Sequence, residues 1–288
     1  MEGLEAQGYI ADRGLATTVH LALELEKPLL VEGSAGVGKT EIAKALASWL
    51  GLDLIRLQCY EGLDVHTSLY EWNYQKQLLR IRLAGEGADM KSIERTIYSP
   101  EFLLARPLLQ AIRSESRAVL LIDEVDRSDE EFEAFLLELL SDFQVSIPEL
   151  GTVKASTRPV VVLTSNGTRQ LSDALRRRCL YLWIDYPDRE KELAILRARF
   201  PDIRNGLAGD AVDFVQRLRR ERLSKPPGVA ETLDFGAALG VLGAENIDTA
   251  TVEGVLGALI KDSADFATLD RKTIDRLLAP ARESGPDG

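Results

Sequence analysis

The chain predicts an α/β fold in which a parallel sheet surrounds a glycine-rich loop, followed by a smaller helical lid domain. Three observations predict it. Gly33-Ser34-Ala35-Gly36-Val37-Gly38-Lys39-Thr40 fits G-x-x-x-x-G-K-[ST] and lies between a strand pattern and a helix pattern. A continuous apolar run, Ala118-Val119-Leu120-Leu121-Ile122, ends in Asp123-Glu124, as expected of a strand buried on both faces. After Tyr186-Pro187-Asp188 the apolar spacing becomes almost wholly helical. These place the nucleotide-binding domain at residues 1–187 and the lid at 188–288.

Taken in order, Gly14 to Glu26 reads as a leading helix, Pro28 to Glu32 as a short strand, and Glu41 to Leu50 as a helix on the far side of the glycine loop. Leu54 to Leu57 is a second strand, and Glu71 to Leu83 has helical amphipathicity, interrupted by the polar turn Gly85-Glu86-Gly87-Ala88-Asp89. Ser128 and Glu131 have capping-box spacing at the head of an acidic helix carrying Phe132, Phe135, Leu136 and Leu139 on one face. The run Asp142 to Ile147 and the run Gly151 to Ala155 alternate as a hairpin does, with Ile147 or Leu150 as candidate partner contacts. Pro159 to Thr164 is a third strand of the sheet. The lid helices are expected at 190–199, 210–220, 231–242, 251–260 and 271–278, before a disordered tail at 284–288.

The chemistry follows from these positions. Glycines let backbone N–H groups and a helix N-terminus converge on phosphate oxygens. Lys39 is placed for the β- and γ-phosphates, and Thr40 for Mg2+. Asp123, at the carboxyl end of a strand where open sheets bind ligands, is placed to hold Mg2+ through water, and Glu124 to orient and polarise the attacking water. Asn166, following Thr164-Ser165, is a candidate sensor of the γ-phosphate. Arg176-Arg177-Arg178 precedes Cys179.

Composition narrows the class. A chain of 288 residues can hold one large or two modest cores. It has no apolar run long enough to cross a membrane and no basic-then-apolar leader at Met1-Glu2-Gly3-Leu4-Glu5, so the cytoplasm is the expected compartment. Cys59 and Cys179 are the only cysteines, His20 and His66 the only histidines, and no zinc-ligand spacing occurs. Both thiols are expected to be buried and free. A net charge of -11 disfavours broad, nonspecific binding and argues against nucleic acid as a partner, while leaving room for a local basic pore or patch.

The order of phosphate loop, Leu120-Leu121-Ile122-Asp123-Glu124, Thr164-Ser165-Asn166 and arginine cluster resembles AAA+ ATPases. Within them the stretches Leu57-Gln58-Cys59-Tyr60-Glu61-Gly62, Asp123-Glu124-Val125-Asp126, Ala174 to Cys179, Trp183 to Pro187 and Pro226 to Thr232 resemble the MoxR family, most closely its CoxD-like branch. The resemblance spans Leu15 to Leu278. It implies Walker A at Lys39 and Thr40, Walker B at Asp123 and Glu124, sensor 1 at Asn166, and a trans-acting arginine finger at Arg178 or, second, Arg177. It also implies ATP and Mg2+ as cofactors, a homo-oligomeric, hexameric ring, a von Willebrand factor A-domain partner, and maturation of a molybdoenzyme client such as carbon monoxide dehydrogenase. One departure stands out: Pro226-Pro227-Gly228-Val229 lacks the sensor 2 arginine of many relatives, leaving Arg222 and Lys225 as nearby substitutes. Two other functions remain open, a DNA-directed motor or loader and a non-catalytic nucleotide-dependent scaffold.

Overall fold

The computed structural model describes residues 1–84 and 89–279. Its contacts divide the chain into two compact units. One comprises Met1–Gln7, Ala11–Gly33 and Lys39–Ile184; the other gathers Gly8–Ile10, Ser34–Gly38 and the chain from Asp185 onward. The cut passes through the phosphate loop, whose glycine-rich arc belongs to the second unit.

The first unit runs α1 (Glu2–Glu5), α2 (Arg13–Glu24), β1 (Leu29–Gly33), α3 (Lys39–Leu50), β2 (Asp53–Gln58), α4 (Val65–Leu69) and β3 (Tyr70–Trp72). It continues through α5 (Tyr74–Ala84), α6 (Met90–Ile97), β4 (Leu103–Ala105), α7 (Pro107–Arg113), β5 (Ala118–Asp123) and α8 (Glu130–Asp142). The hairpin strands β6 (Gln144–Ile147) and β7 (Gly151–Lys154), then β8 (Val160–Ser165), α9 (Asp173–Arg178) and β9 (Leu180–Ile184), complete it. Five strands form one sheet in the order β2-β5-β8-β1-β9, and every pairing in it is parallel. The central strands β5 and β8 are buried at each residue, which is why both read as unbroken Val/Ile/Leu runs rather than alternating ones.

Several local expectations change. Residues 71–83 are not one helix: β3 pairs antiparallel with β4, setting Trp72 opposite Leu103. Tyr70 and Trp72 both point into the core, and Trp72 meets Tyr98 edge-on at 5.3 Å. Burying two aromatics two residues apart requires the period of a strand, so the helix starts only at Tyr74. The cap of α8 is Asp129, which accepts from the Phe132 N–H at 2.8 Å, whereas the Ser128 hydroxyl turns back to donate to the Val125 carbonyl. Within that acidic helix Glu133 is buried, paired with Arg169 and accepting from the Ser172 N–H, so the run is not merely a solvated face. In the β6–β7 hairpin Ile147 is fully buried and Leu150 packs on the core, which removes Ile147 as an exposed contact. The turn at 85–89 falls, except for Asp89, outside the described residues, as does the tail at 284–288.

In the second unit α10 (Arg189–Arg199), α11 (Asn205–Leu218), α12 (Val229–Val241), α13 (Thr249–Leu259), α14 (Ser263–Thr268) and α15 (Arg271–Leu278) follow one another. They close on Phe214, Phe235, Leu196, Val212, Leu239, Val252 and Ile274. Four of the starts are set by aspartate caps, Asp188, Asp248, Asp262 and Asp270, each accepting a backbone N–H of the first turn. The short α14 has no counterpart in the sequence reading, because its single turn is too brief to show a period. Among the described residues no helix is long and apolar enough to cross a membrane.

Candidate nucleotide site

Because β5, β8 and β1 are neighbours in the sheet, their carboxyl ends bring Asp123, Ser165 and Gly33 side by side at the edge where parallel sheets bind ligands. Helix α3 starts at Lys39 immediately beyond the glycine loop. The Lys39 ammonium is buried and donates to the Gly33 carbonyl at 2.8 Å. Burial lowers its pKa below the ordinary lysine range, a shift opposed by the charges of Asp126, Asp123, Glu124 and Glu32.

Asp123 is enclosed by donors. Its Oδ1 accepts from the Thr40 hydroxyl at 3.0 Å and the Thr164 hydroxyl at 2.5 Å, while Oδ2 accepts from Arg56 Nε at 3.1 Å and Nη2 at 2.5 Å. Thr164 also fastens the next residue, since its hydroxyl accepts from the Glu124 N–H at 2.9 Å. Glu124 stands at φ 55° and ψ 48°, a left-handed conformation that costs a non-glycine residue on the order of 1 kcal/mol. That turn carries its carboxylate away from the strand, where Arg127 meets it at 3.1 Å.

Asp126 organises the neighbouring loop. Its carboxylate accepts from the N–H of Asn166 at 3.1 Å, the N–H of Thr168 at 2.9 Å and the Thr168 hydroxyl at 2.6 Å. Burial pushes the Asp126 carboxyl upward, but the donors from Thr168 and Asn166 outweigh it and hold its pKa below the usual aspartate value. Asn166 thus sits at the end of β8 with its backbone anchored.

The arginine cluster closes α9. Arg176 lies over the Tyr181 ring at 5.4 Å. Arg178 donates from Nε to the Ser141 hydroxyl at 2.8 Å and from Nη1 to the Ala174 carbonyl. The Arg177 side chain is exposed and makes no hydrogen bond or ion pair among the described residues.

In the second unit the glycine arc meets the head of α12. Gly36, at φ +77°, offers its carbonyl to the Val229 N–H at 2.8 Å. Arg219 supports this corner by donating to the Pro227 carbonyl at 2.5 Å, while its guanidinium pairs with buried Glu192 and lies 4.9 Å over the Tyr186 ring. Arg222 is exposed, and Lys225 lies 3.8 Å from Asp262. Four contributors escaped the sequence reading: Arg56, Asp126, Thr164 and Arg219. Only Asp126 and Thr164 had a signal, being embedded in the D-E-V-D and T-S-N runs.

The donor set suits Mg2+ and a triphosphate. Thr40 and Asp123 present a hydroxyl and a carboxylate oxygen within 3.0 Å of each other, the hard oxygen ligands that Mg2+ takes. A glycine loop with the positive φ of Gly36 and Gly38 frees backbone amides for phosphate. This is a nucleoside triphosphatase of the P-loop class.

Residues 29–183 match the ATPase family associated with various cellular activities (AAA). The chain belongs to that family; it is an ATPase, and its cofactor is ATP with Mg2+. It is 28% identical over 153 residues to the mitochondrial chaperone protein ClpB3 of Oryza sativa subsp. japonica, covering 51% of this chain and 13% of that protein. It is 29% identical over 210 residues to heat shock protein 100 of Trypanosoma brucei brucei, covering 71% of this chain and 20% of that one. Among solved structures, the Thermotoga maritima RuvB Holliday junction branch migration motor matches 92% of this chain and 72% of its own, at 19% identity and a TM-score of 0.51. A variant of that motor matches 96% and 76% with a TM-score of 0.54 at 18% identity.

Two expectations are overturned. The resemblance to the MoxR family and its CoxD-like branch does not stand, because the relatives described above are ClpB and heat shock protein 100 chaperones, and the solved structures described above are RuvB motors. Nothing in the chemistry of these residues specifies a client, so the von Willebrand factor A-domain partner and the molybdoenzyme client fall with it. The expectation against nucleic acid does not stand either, since a solved structure of the same fold is a Holliday junction branch migration motor, so net charge does not exclude that class of partner. Net charge is a poor guide here, for a phosphate backbone is held by a local basic surface rather than by the whole molecule.

Proposed function

We propose that the protein is an ATP-driven motor that moves on or remodels a nucleic acid, working as a homo-oligomeric ring taken as hexameric. In this reading 1–187 forms the nucleotide-binding domain and 188–288 the lid. Lys39 and the amides of Gly33 to Gly38 hold the phosphates, Thr40 and Asp123 hold Mg2+, and Glu124 directs water at the γ-phosphate. Bound Mg2+ supplies positive charge against the phosphate oxygens. Asn166 reports the γ-phosphate. A neighbouring subunit contributes Arg177 or Arg178; the freedom of Arg177 and the tie of Arg178 to Ser141 favour Arg177 for a role in trans. The cytoplasm remains the compartment we expect.

The observation that carries the choice of substrate is α5. In a chain of net charge -11, this helix has no acidic residue and exposes Arg80 and Arg82, while its Lys76 pairs with Glu101 at 2.8 Å, a small basic surface of the kind that tracks phosphate. The likeness to RuvB across 92% of the chain supports it. A second reading, protein remodelling, is favoured by the chaperone relatives, although this chain spans only 13% and 20% of the two described above.

The test is steady-state ATP turnover with and without duplex and branched DNA, compared with an unfolded protein substrate. Several-fold stimulation by DNA that fades with salt, with Glu124→Gln lowering turnover by about 100-fold or more, is the expected result. Stimulation by unfolded protein alone puts remodelling first, and Glu124→Gln that keeps full function in the cell indicates a scaffold.

A further inference from the structure

Arg56 has no part in the motifs that define the site, yet it makes the only ion pair of Asp123 among the described residues. It lies on β2, the edge strand of the sheet beside β5. In that register Gln58, not Arg56, stands opposite Asp123. The guanidinium therefore reaches two residues along the strand to place Nε and Nη2 on one oxygen, Oδ2, steadied by a further bond from Nη2 to the Gln58 side chain.

The two oxygens of Asp123 are thereby divided. Oδ1 is taken by the hydroxyls of Thr40 and Thr164, and Oδ2 by a cation. Lys39 directs its ammonium to the Gly33 carbonyl. Arg56 is half exposed while the Asp123 carboxylate is 4% exposed, so the arginine can swing away into water at little cost but the carboxylate cannot.

We propose that Arg56 is a positioning residue of the nucleotide site, an internal cation that holds Asp123 Oδ2 and competes with Mg2+ for its negative charge, thereby setting the Mg2+ concentration at which nucleotide is held tightly. Its positive charge keeps the carboxylate oriented and neutralised before the divalent ion arrives. With Mg2+ held at Thr40 and Asp123, the guanidinium would give up its hold on Oδ2. The inference rests on nucleotide binding at this site and is independent of which polymer the motor moves.

The experiment measures binding, without turnover. A fluorescent ADP analogue is titrated with Mg2+ against the full chain and against Arg56→Gln, with Lys39→Ala as the control for loss of nucleotide. In Arg56→Gln the half-saturating Mg2+ concentration falls about three- to tenfold, the span of a charge-assisted contact in partly solvated surroundings, and binding without Mg2+ stays within about twofold. Arg56→Lys, which keeps the charge but loses the two-pronged grip, falls between the two and carries the test where the glutamine variant does not fold. An unchanged or raised Mg2+ midpoint in either variant overturns the proposal. Loss of Mg2+-free binding in Arg56→Gln also overturns it, since the arginine would then touch the nucleotide itself. Failure of the unaltered chain to bind the analogue at all would instead refute nucleotide binding.

Discussion

Gly36 and Gly228 meet backbone against backbone: a Cβ built on Gly228 would lie 2.8 Å from the Gly36 Cα and 2.9 Å from its carbonyl oxygen. The Val229 and Ala230 amides both point at that carbonyl, and Glu231 closes the turn by accepting from the Gly228 N–H at 2.8 Å. In the stretch Pro226 to Val229, which lacks the sensor 2 arginine that the resemblance led us to look for, this chain presents the N-terminal amides of α12 to the phosphate loop itself.

Gly228→Ala therefore forces the loop and the head of α12 apart, because neither backbone can yield as a flexible side chain would. The expected outcome is a KM for ATP raised about tenfold, with folding retained. Gly240→Ala is the control: it lies in the same helix with nothing within 4 Å and is expected to add up to about 1 kcal/mol of stability while leaving KM unchanged. Steady-state kinetics on the two variants decide it, and equal KM values would show that the contact is dispensable.

Asp126→Ala strands two part-buried backbone donors, the N–H groups of Asn166 and Thr168, and the Thr168 hydroxyl. A loss of about 2–3 kcal/mol in stability is expected, together with lower turnover as Asn166 loses its anchor. The pH dependence has a definite sign. Its native pKa is depressed below the unfolded value, so the stability it contributes is complete above about pH 4 and disappears as pH falls through the lowered native value. Urea titrations between pH 3 and 7 should show this acid limb in the native chain and a shallower one in the variant.

Arg219→Met leaves Glu192 buried and uncompensated. Glu192 is 0% exposed and also receives Gln216 at 2.6 Å, so a loss of about 3–5 kcal/mol is expected. Replacing both partners by apolar residues of similar size should recover most of it. Urea denaturation followed by circular dichroism measures both; a single variant as stable as the native chain would mean that water reaches Glu192.

Burial pushes the thiols of Cys59 and Cys179 up to about 12. Both should remain protonated and resist alkylation at pH 8 in the native chain, reacting only when it is unfolded. Mass spectrometry after iodoacetamide treatment checks this, and rapid native labelling of Cys59 would show that the end of β2 opens readily.

The sequence by itself determined the parallel sheet, the phosphate loop and the positions of Lys39, Thr40, Asp123 and Glu124 in the chain, because these depend on local signals. A buried strand must be apolar throughout, and a tight loop around phosphate needs glycine. Most helices of the second unit were legible for the same reason, their apolar spacing being local. The strand at Tyr70–Trp72 was not, since an aromatic pair two residues apart becomes a strand only when Leu103–Ala105 lies beside it. Nor was the cap at Asp129, one residue beyond the expected serine. Only the tertiary structure set Arg56 on Asp123, Asp126 beneath Asn166 and Gly228 against Gly36. Those pairs are 67, 40 and 192 residues apart in the chain, and contacts of that range arise from the packing of separate elements, which leaves no periodic trace in the residues that make them.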